Sequence, residues 1–335
     1  MRTRPVVAWL LLALVACASC GRQGHGTTAS GAAEDGDPLP ERYRASLLSS
    51  VGVVPRPGSI TVTYLGTSML LFDDGETQLL VNPRVSRSAG STTDGKRIDE
   101  TLKLLQANRV GAIFVAGEGD RVGDAIYIAR RTGATLVGPS AALDVARANG
   151  VPQQQLAPYM PGSTIKAGKF RVEQIASKAA PLPKDASGRT HPGGSSVDLL
   201  IRKGSRSILV KSSANFLPGA LDHVNADVLF LPTGGLAEQS DYFQDLYYRQ
   251  TVDQVHPKLV VPLQWDDATR PLSRKLVLAD GTPAAFDFLM GRLQQDKIRF
   301  GLLQGYHTTE LFDAKSCAIP LSAEPVTSPV AGKGR

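Results

Sequence analysis

Residues 112–124 read AIFVAGEGDRVGD, an apolar run that opens into a glycine-rich loop before a helix-forming stretch. The loop carries two carboxylates, Glu118 and Asp120, followed by Arg121. Acids on a loop at a strand end can hold a cation or exchange protons with a substrate. Gly117-x-Gly119 also has the look of a phosphate loop, but Glu118 and Asp120 would repel a pyrophosphate. The spacing to Gly123 departs from G-x-G-x-x-G as well, which argues against nucleotide binding. Asp120 has a plainer role open to it as the N-cap of the helix that follows. The chain has only five His. Of these, His191, between Thr190 and Pro192-Gly193-Gly194, is the candidate for lining a cleft. His256 precedes Pro257 at a helix end, where an imidazole meets the helix dipole. His223, beside Asp222, reads as a surface residue, and His307 gives no signal. Glu118, Asp120 and His191 are thus the candidate catalytic residues. No G-x-S-x-G, paired Ser-x-x-Lys motif or Cys–His arrangement supplies another mechanism, and Lys211-Ser212-Ser213 is too common a tripeptide to carry one.

Alternating apolar runs and helical patterns must position these groups. Residues 60–64, 69–72 and 78–82 read as strands, the last two joined at Asp74-Gly75. A helix at 99–106 with Ile98, Leu102 and Leu105 on one face precedes a buried strand at 112–115. Helices at 124–131 and 141–149 flank a strand at 135–137. Strands follow at 170–175, 197–203 and 207–210, the last two turning at Lys203-Gly204-Ser205, and then at 228–231. A helix at 242–255 leads to a strand at 259–263. Its Tyr242, Phe243, Tyr247 and Tyr248 read as packing against a sheet. Hairpins mixed with βα units predict an α/β fold of two sheets flanked by helices, with no composition break inside 41–315.

Several segments together resemble the metallo-β-lactamase superfamily, over about residues 58–275. The strand–loop–helix at 112–124 aligns without gaps to the superfamily's HxHxDH metal motif. ITVTYLGTSMLLFDDGETQLLVNPR is similar to its first hairpin, with Asn82-Pro83 where Asp-Pro is usual. SILVKSSANFLPGALDHVNADVLFLPTGG resembles the strand and loop that carry a metal-bridging Asp. VVPLQWDDATRPL resembles the strand before the last ligand, commonly His-Trp in the lactonase-like branch. The resemblance implies a four-layer αββα sandwich. Carried over by position, it makes the ligand set degenerate: Ala116, Glu118 and Arg121 stand where His is usual, with Asp120 kept. Lys178 (or, beyond a loop, His191) stands at the third ligand, Ser213 at the bridging Asp, and Gln264 at the last His. Zinc needs imidazoles, thiolates or carboxylates converging at ~2.0–2.3 Å, and a guanidinium has no lone pair to give. The expectation is therefore no resident cofactor, with Arg121 and Lys178 standing in for the metal's charge. The alternative keeps zinc, weakly held, and hydrolysis of a lactone, ester or phosphodiester. Asp266 and Asp267 are either turn acceptors or rim carboxylates.

Residues 1–16 read as a signal peptide: Arg2 and Arg4 precede an apolar run from Val6 to Ala16, too short for a bilayer core of ~20 residues. Leu14-Val15-Ala16-Cys17 resembles a bacterial lipobox, which implies lipidation at Cys17; Ala16-Cys17-Ala18 can also imitate a plain cleavage site, and Cys20 is a third option. Residues 17–40 form a flexible tether, 41–317 the folded domain and 318–335 a disordered tail. Cys20 and Cys317 either pair or stay free. The formal charge of +6 falls to +4 without Arg2 and Arg4, and the remaining cations are scattered among acids, so no nucleic-acid partner is expected. The expected setting is the cell envelope, with the membrane as partner through Cys17: no Asp follows that Cys, which by resemblance to Gram-negative sorting rules implies the outer membrane, a Gram-positive surface being the alternative. The expected role is binding an unknown small ligand or an envelope protein.

Overall fold

The computed structural model describes residues 39–86, 92–116, 122–180, 194–272 and 275–313. After a short helix α1 (Glu41–Arg44), the chain lays down β1 (Thr61–Tyr64), β2 (Leu70–Asp73) and β3 (Gln78–Val81) as an antiparallel meander. Helix α2 (Gly95–Leu104), β4 (Val110–Phe114), α3 (Gly123–Thr132), β5 (Thr135–Gly138), α4 (Ser140–Ala148) and β6 (Leu156–Pro158) follow as parallel βα units. The second half supplies β7 (Thr164–Ala167), β8 (Phe170–Lys178), β9 (Ser195–Lys203), β10 (Arg206–Val210) and β11 (Val228–Pro232). It ends with α5 (Asp241–Val255), β12 (Leu259–Leu263), α6 (Thr282–Gln295), β13 (Arg299–Phe300) and β14 (Thr308–Glu310). The strands form two seven-stranded sheets, ordered β14-β1-β2-β3-β4-β5-β6 and β13-β12-β11-β10-β9-β8-β7.

Strand alternation sorts the core into three layers of contact. Val62, Phe72, Phe114, Val172, Val210 and Phe230 meet between the sheets. Leu71, Leu80 and Ile113 face α2, α3 and α4. Leu200, Leu209 and Leu229 face α5 and α6. With both faces covered, the central strands are buried at nearly every position. The expected αββα sandwich is therefore the observed architecture.

The helix expected at 99–106 begins earlier, because the Asp94 side chain accepts the Arg97 N–H at 3.0 Å and caps it. Helix α6 and strands β6, β7, β13 and β14 were absent from the sequence reading. The four strands have two to four residues each and bury few of them, so alternation has little length in which to show. Tyr247 and Tyr248 pack as expected at 0% exposure, whereas Tyr242 is 72% exposed and takes no part. His256 ends α5 in the left-handed region at φ +52, and His223 and His307 are exposed.

Candidate functional site

The cleft lies where the strands of both sheets end on the Lys178–Ser195 side. Asn82, directly after β3, takes φ +47, which turns its side chain across to β4. There its Oδ1 accepts the Ala116 N–H at 2.7 Å while its Nδ2 donates to Ser68 Oγ at 3.3 Å. Ala116 thus offers a methyl group and a backbone amide already engaged. Across from it, Gln264 follows β12 at φ +57; its N–H donates to Thr67 O at 2.6 Å and its Nε2 to Ser212 O at 3.4 Å. Thr67 is itself left-handed at φ +52, and its N–H donates to the buried Asp266 carboxylate. Left-handed conformations at three non-glycine residues around one cleft are costly and need support from neighbours. The Thr67–Gln264 and Asn82–Ala116 bonds supply it.

Ser213 Oγ donates to Lys178 O at 2.8 Å, tying the loop after β10 to the end of β8. The Lys178 side chain is exposed. The cation buried nearby is Lys211, 1% exposed like its partner Asp198, with Nζ to Oδ2 at 2.6 Å. Lys211 Nζ also donates to Ser177 Oγ at 3.3 Å. Asp198 Oδ1 accepts the Ser212 N–H at 2.8 Å and its hydroxyl at 3.0 Å. By alternation Asp198 shares the face of Leu200, and Lys211 that of Leu209, so the pair lies on the helix-covered side of the second sheet. Burial and the charge of Asp198 push the Tyr159 and Tyr247 phenols well up, so both stay neutral, and Tyr247 OH donates to Pro232 O at 3.0 Å. The tripeptide Lys211-Ser212-Ser213 alone does not reveal the Asp198–Lys211 pair. Its signal was two charges, Asp198 and Lys211, on otherwise apolar strand segments that pair with each other.

Glu118, Asp120, Arg121, His191 and Cys17 lie outside the described residues. Asp267 is a turn acceptor, taking the Thr269 N–H at 2.9 Å. Between the sheets, Asn82, Ala116, Tyr159, Val210 and Ser212 enclose a cavity of only about 10 Å³, at the lower limit for a single water. The fold's usual metal does not fit the described ligand positions. Ala116 has no side-chain donor atom, Ser213 and Gln264 offer no imidazole, thiolate or carboxylate, and Lys178 would add a positive charge. Among the described residues no three His, Cys, Asp or Glu side chains cluster.

No model of a known protein family matches the chain. A UPF0173 metal-dependent hydrolase of Anaeromyxobacter dehalogenans is 28% identical over 220 residues, 62% of this chain and 75% of the relative. One from Heliobacterium modesticaldum is 33% identical over 79 residues, 23% of this chain and 28% of the relative. Among solved structures, Igni18, a metallo hydrolase of the archaeon Ignicoccus hospitalis, superposes with a TM-score of 0.51 at 17% identity, over 75% of this chain and 97% of that one. YhfI of Bacillus subtilis, a metallo-β-lactamase fold protein, gives 0.50 at 14% identity, over 75% and 99%. CmlA, a diiron β-hydroxylase of Streptomyces venezuelae, gives 0.52 at 16% identity, over 77% and 55%. The chain has the metallo-β-lactamase fold.

Proposed function

We propose that this is a metallo-β-lactamase-fold protein of metal-dependent-hydrolase descent whose cleft has left metal chemistry. In this reading it serves as a membrane-tethered binding or scaffold protein of the cell envelope. The observation that carries it is the engagement of Ala116, Ser213 and Gln264. The amide or hydroxyl hydrogens at these positions are spent on hydrogen bonds within the fold, and none of the three presents an imidazole or carboxylate to a cation. Metal-assisted hydrolysis needs a Lewis acid or a metal-bound hydroxide, and these positions supply none of the imidazole, thiolate or carboxylate ligands that hold zinc. The test is elemental analysis of the full chain after incubation with zinc, beside a panel of lactone, ester and phosphodiester substrates. The reading expects neither stoichiometric zinc nor turnover.

A second reading has one observation in its favour, the likeness to a UPF0173 metal-dependent hydrolase over 220 residues. It keeps hydrolysis through Glu118 and Asp120, with His191 or His223 and a weakly held zinc. Zinc-dependent turnover lost on Asp120→Asn would establish it.

A further inference from the structure

At the end of the sandwich remote from the cleft, two neighbouring hairpins gather six cations: Lys166, Lys169 and Arg171 on β7–β8, and Arg202, Lys203 and Arg206 on β9–β10. Three of them form a row. Lys166 stands opposite Arg171, and Arg171 opposite Arg202, on three adjacent strands. All three are exposed. Like charges directly opposite across a sheet repel, yet among the described residues only Arg202 of the row has an acidic partner, Glu173 at 2.5 Å. Lys169 pairs with Glu76 and Lys203 with Asp74, while Arg206 donates to Gly58 O at 3.0 Å. The patch keeps a positive surplus.

Beside it, Lys169, Lys203, Gly204, Ser205 and Arg206 line an open cavity of about 440 Å³ with Gly58. The segment leading to Gly58 holds Val51 and Val54 at 92% and 71% exposure. Cations around a headgroup-sized recess, next to valines with no apolar cover, match an anionic lipid surface: phosphates meet the cations and the valines enter the acyl boundary. Among these cations, Phe170 lies under Lys203 and Phe312 under Arg206; Phe170 is buried, which suits lipid better than base stacking with single-stranded nucleic acid.

We infer that this end docks on anionic lipid headgroups and so holds the cleft facing away from the membrane. The inference rests on the membrane-tethered reading for its supply of lipid. The test is hydrogen exchange of the full chain on nanodiscs of anionic phosphatidylglycerol or of neutral phosphatidylcholine. Flotation with neutral discs reads the N-terminal attachment independently of the patch. The expected result is severalfold slower exchange across 51–58, 166–171 and 202–206 on anionic discs only, reversed by high salt. The Lys166→Glu/Arg171→Glu variant, altering two exposed side chains, should lose that protection with an unchanged melting temperature. Equal exchange on both kinds of disc, with the chain floating on both, would overturn the docking face and leave the tether intact. Absence of flotation on either would overturn both. Protection by single-stranded DNA but not by anionic discs would also overturn the inference.

Discussion

Lys211 and Asp198 are nearly sealed from solvent, and each is the other's ionic partner. Removing one member of such a pair leaves an uncompensated buried charge, which costs about 3–5 kcal/mol. Lys211→Met and Asp198→Asn should each lower the urea unfolding free energy, the first by that amount. Combining Lys211→Met with Asp198→Leu should recover most of the loss, because two apolar groups need no partner. An additive loss in the double variant would contradict the pairing. The same residues mark what could be read from sequence and what could not. That Ala116, Ser213 and Gln264 follow strand ends was legible, because the strands before them are buried apolar runs. Lys211 was not, because its importance comes from a cross-strand neighbour 13 residues away in the chain.

Between elements, the turn joining β2 to β3 bolts the two sheets together. The Asp74 carboxylate accepts the N–H groups of Thr77 at 2.7 Å and Glu76 at 3.0 Å, and Lys203 of the second sheet lies 3.0 Å away. Burial pushes the Asp74 carboxyl up, but these donors and the ammonium outweigh it and bring it below its ordinary value. A carboxyl depressed in the folded state adds stability above its unfolded value, and that contribution is lost as pH falls through the folded one. Unfolding free energy should therefore drop as pH goes below about 4, and Asp74→Asn should flatten this part of the profile. An identical acid limb in the variant would remove Asp74 from the account. Gly75 in the same turn sits at φ +83, where an added Cβ would lie 2.3 Å from the Arg56 backbone. Gly75→Ala should cost more than about 1 kcal/mol, measured by thermal or urea unfolding. The turn itself was legible from Asp74-Gly75, whereas the Lys203 contact needed the second sheet. The missed helix α6 left a trace in Ala285, Leu289 and Leu293, four residues apart and all buried.

For the whole molecule, the sandwich was legible because covering both faces of each sheet writes long apolar runs into the central strands, and the βα spacing orders them. The edges were not, since short exposed strands carry little periodicity. The cleft keeps left-handed backbone at Thr67, Asn82 and Gln264, while Ser213 and Gln264 donate to backbone carbonyls of the fold. Zinc binding by the purified full chain, measured by elemental analysis after dialysis against the metal and then against buffer, tests this most directly. No zinc should be retained in proportion to protein, and the melting temperature should not change with zinc present. Retention of one zinc per chain, with a rise in melting temperature, would contradict it.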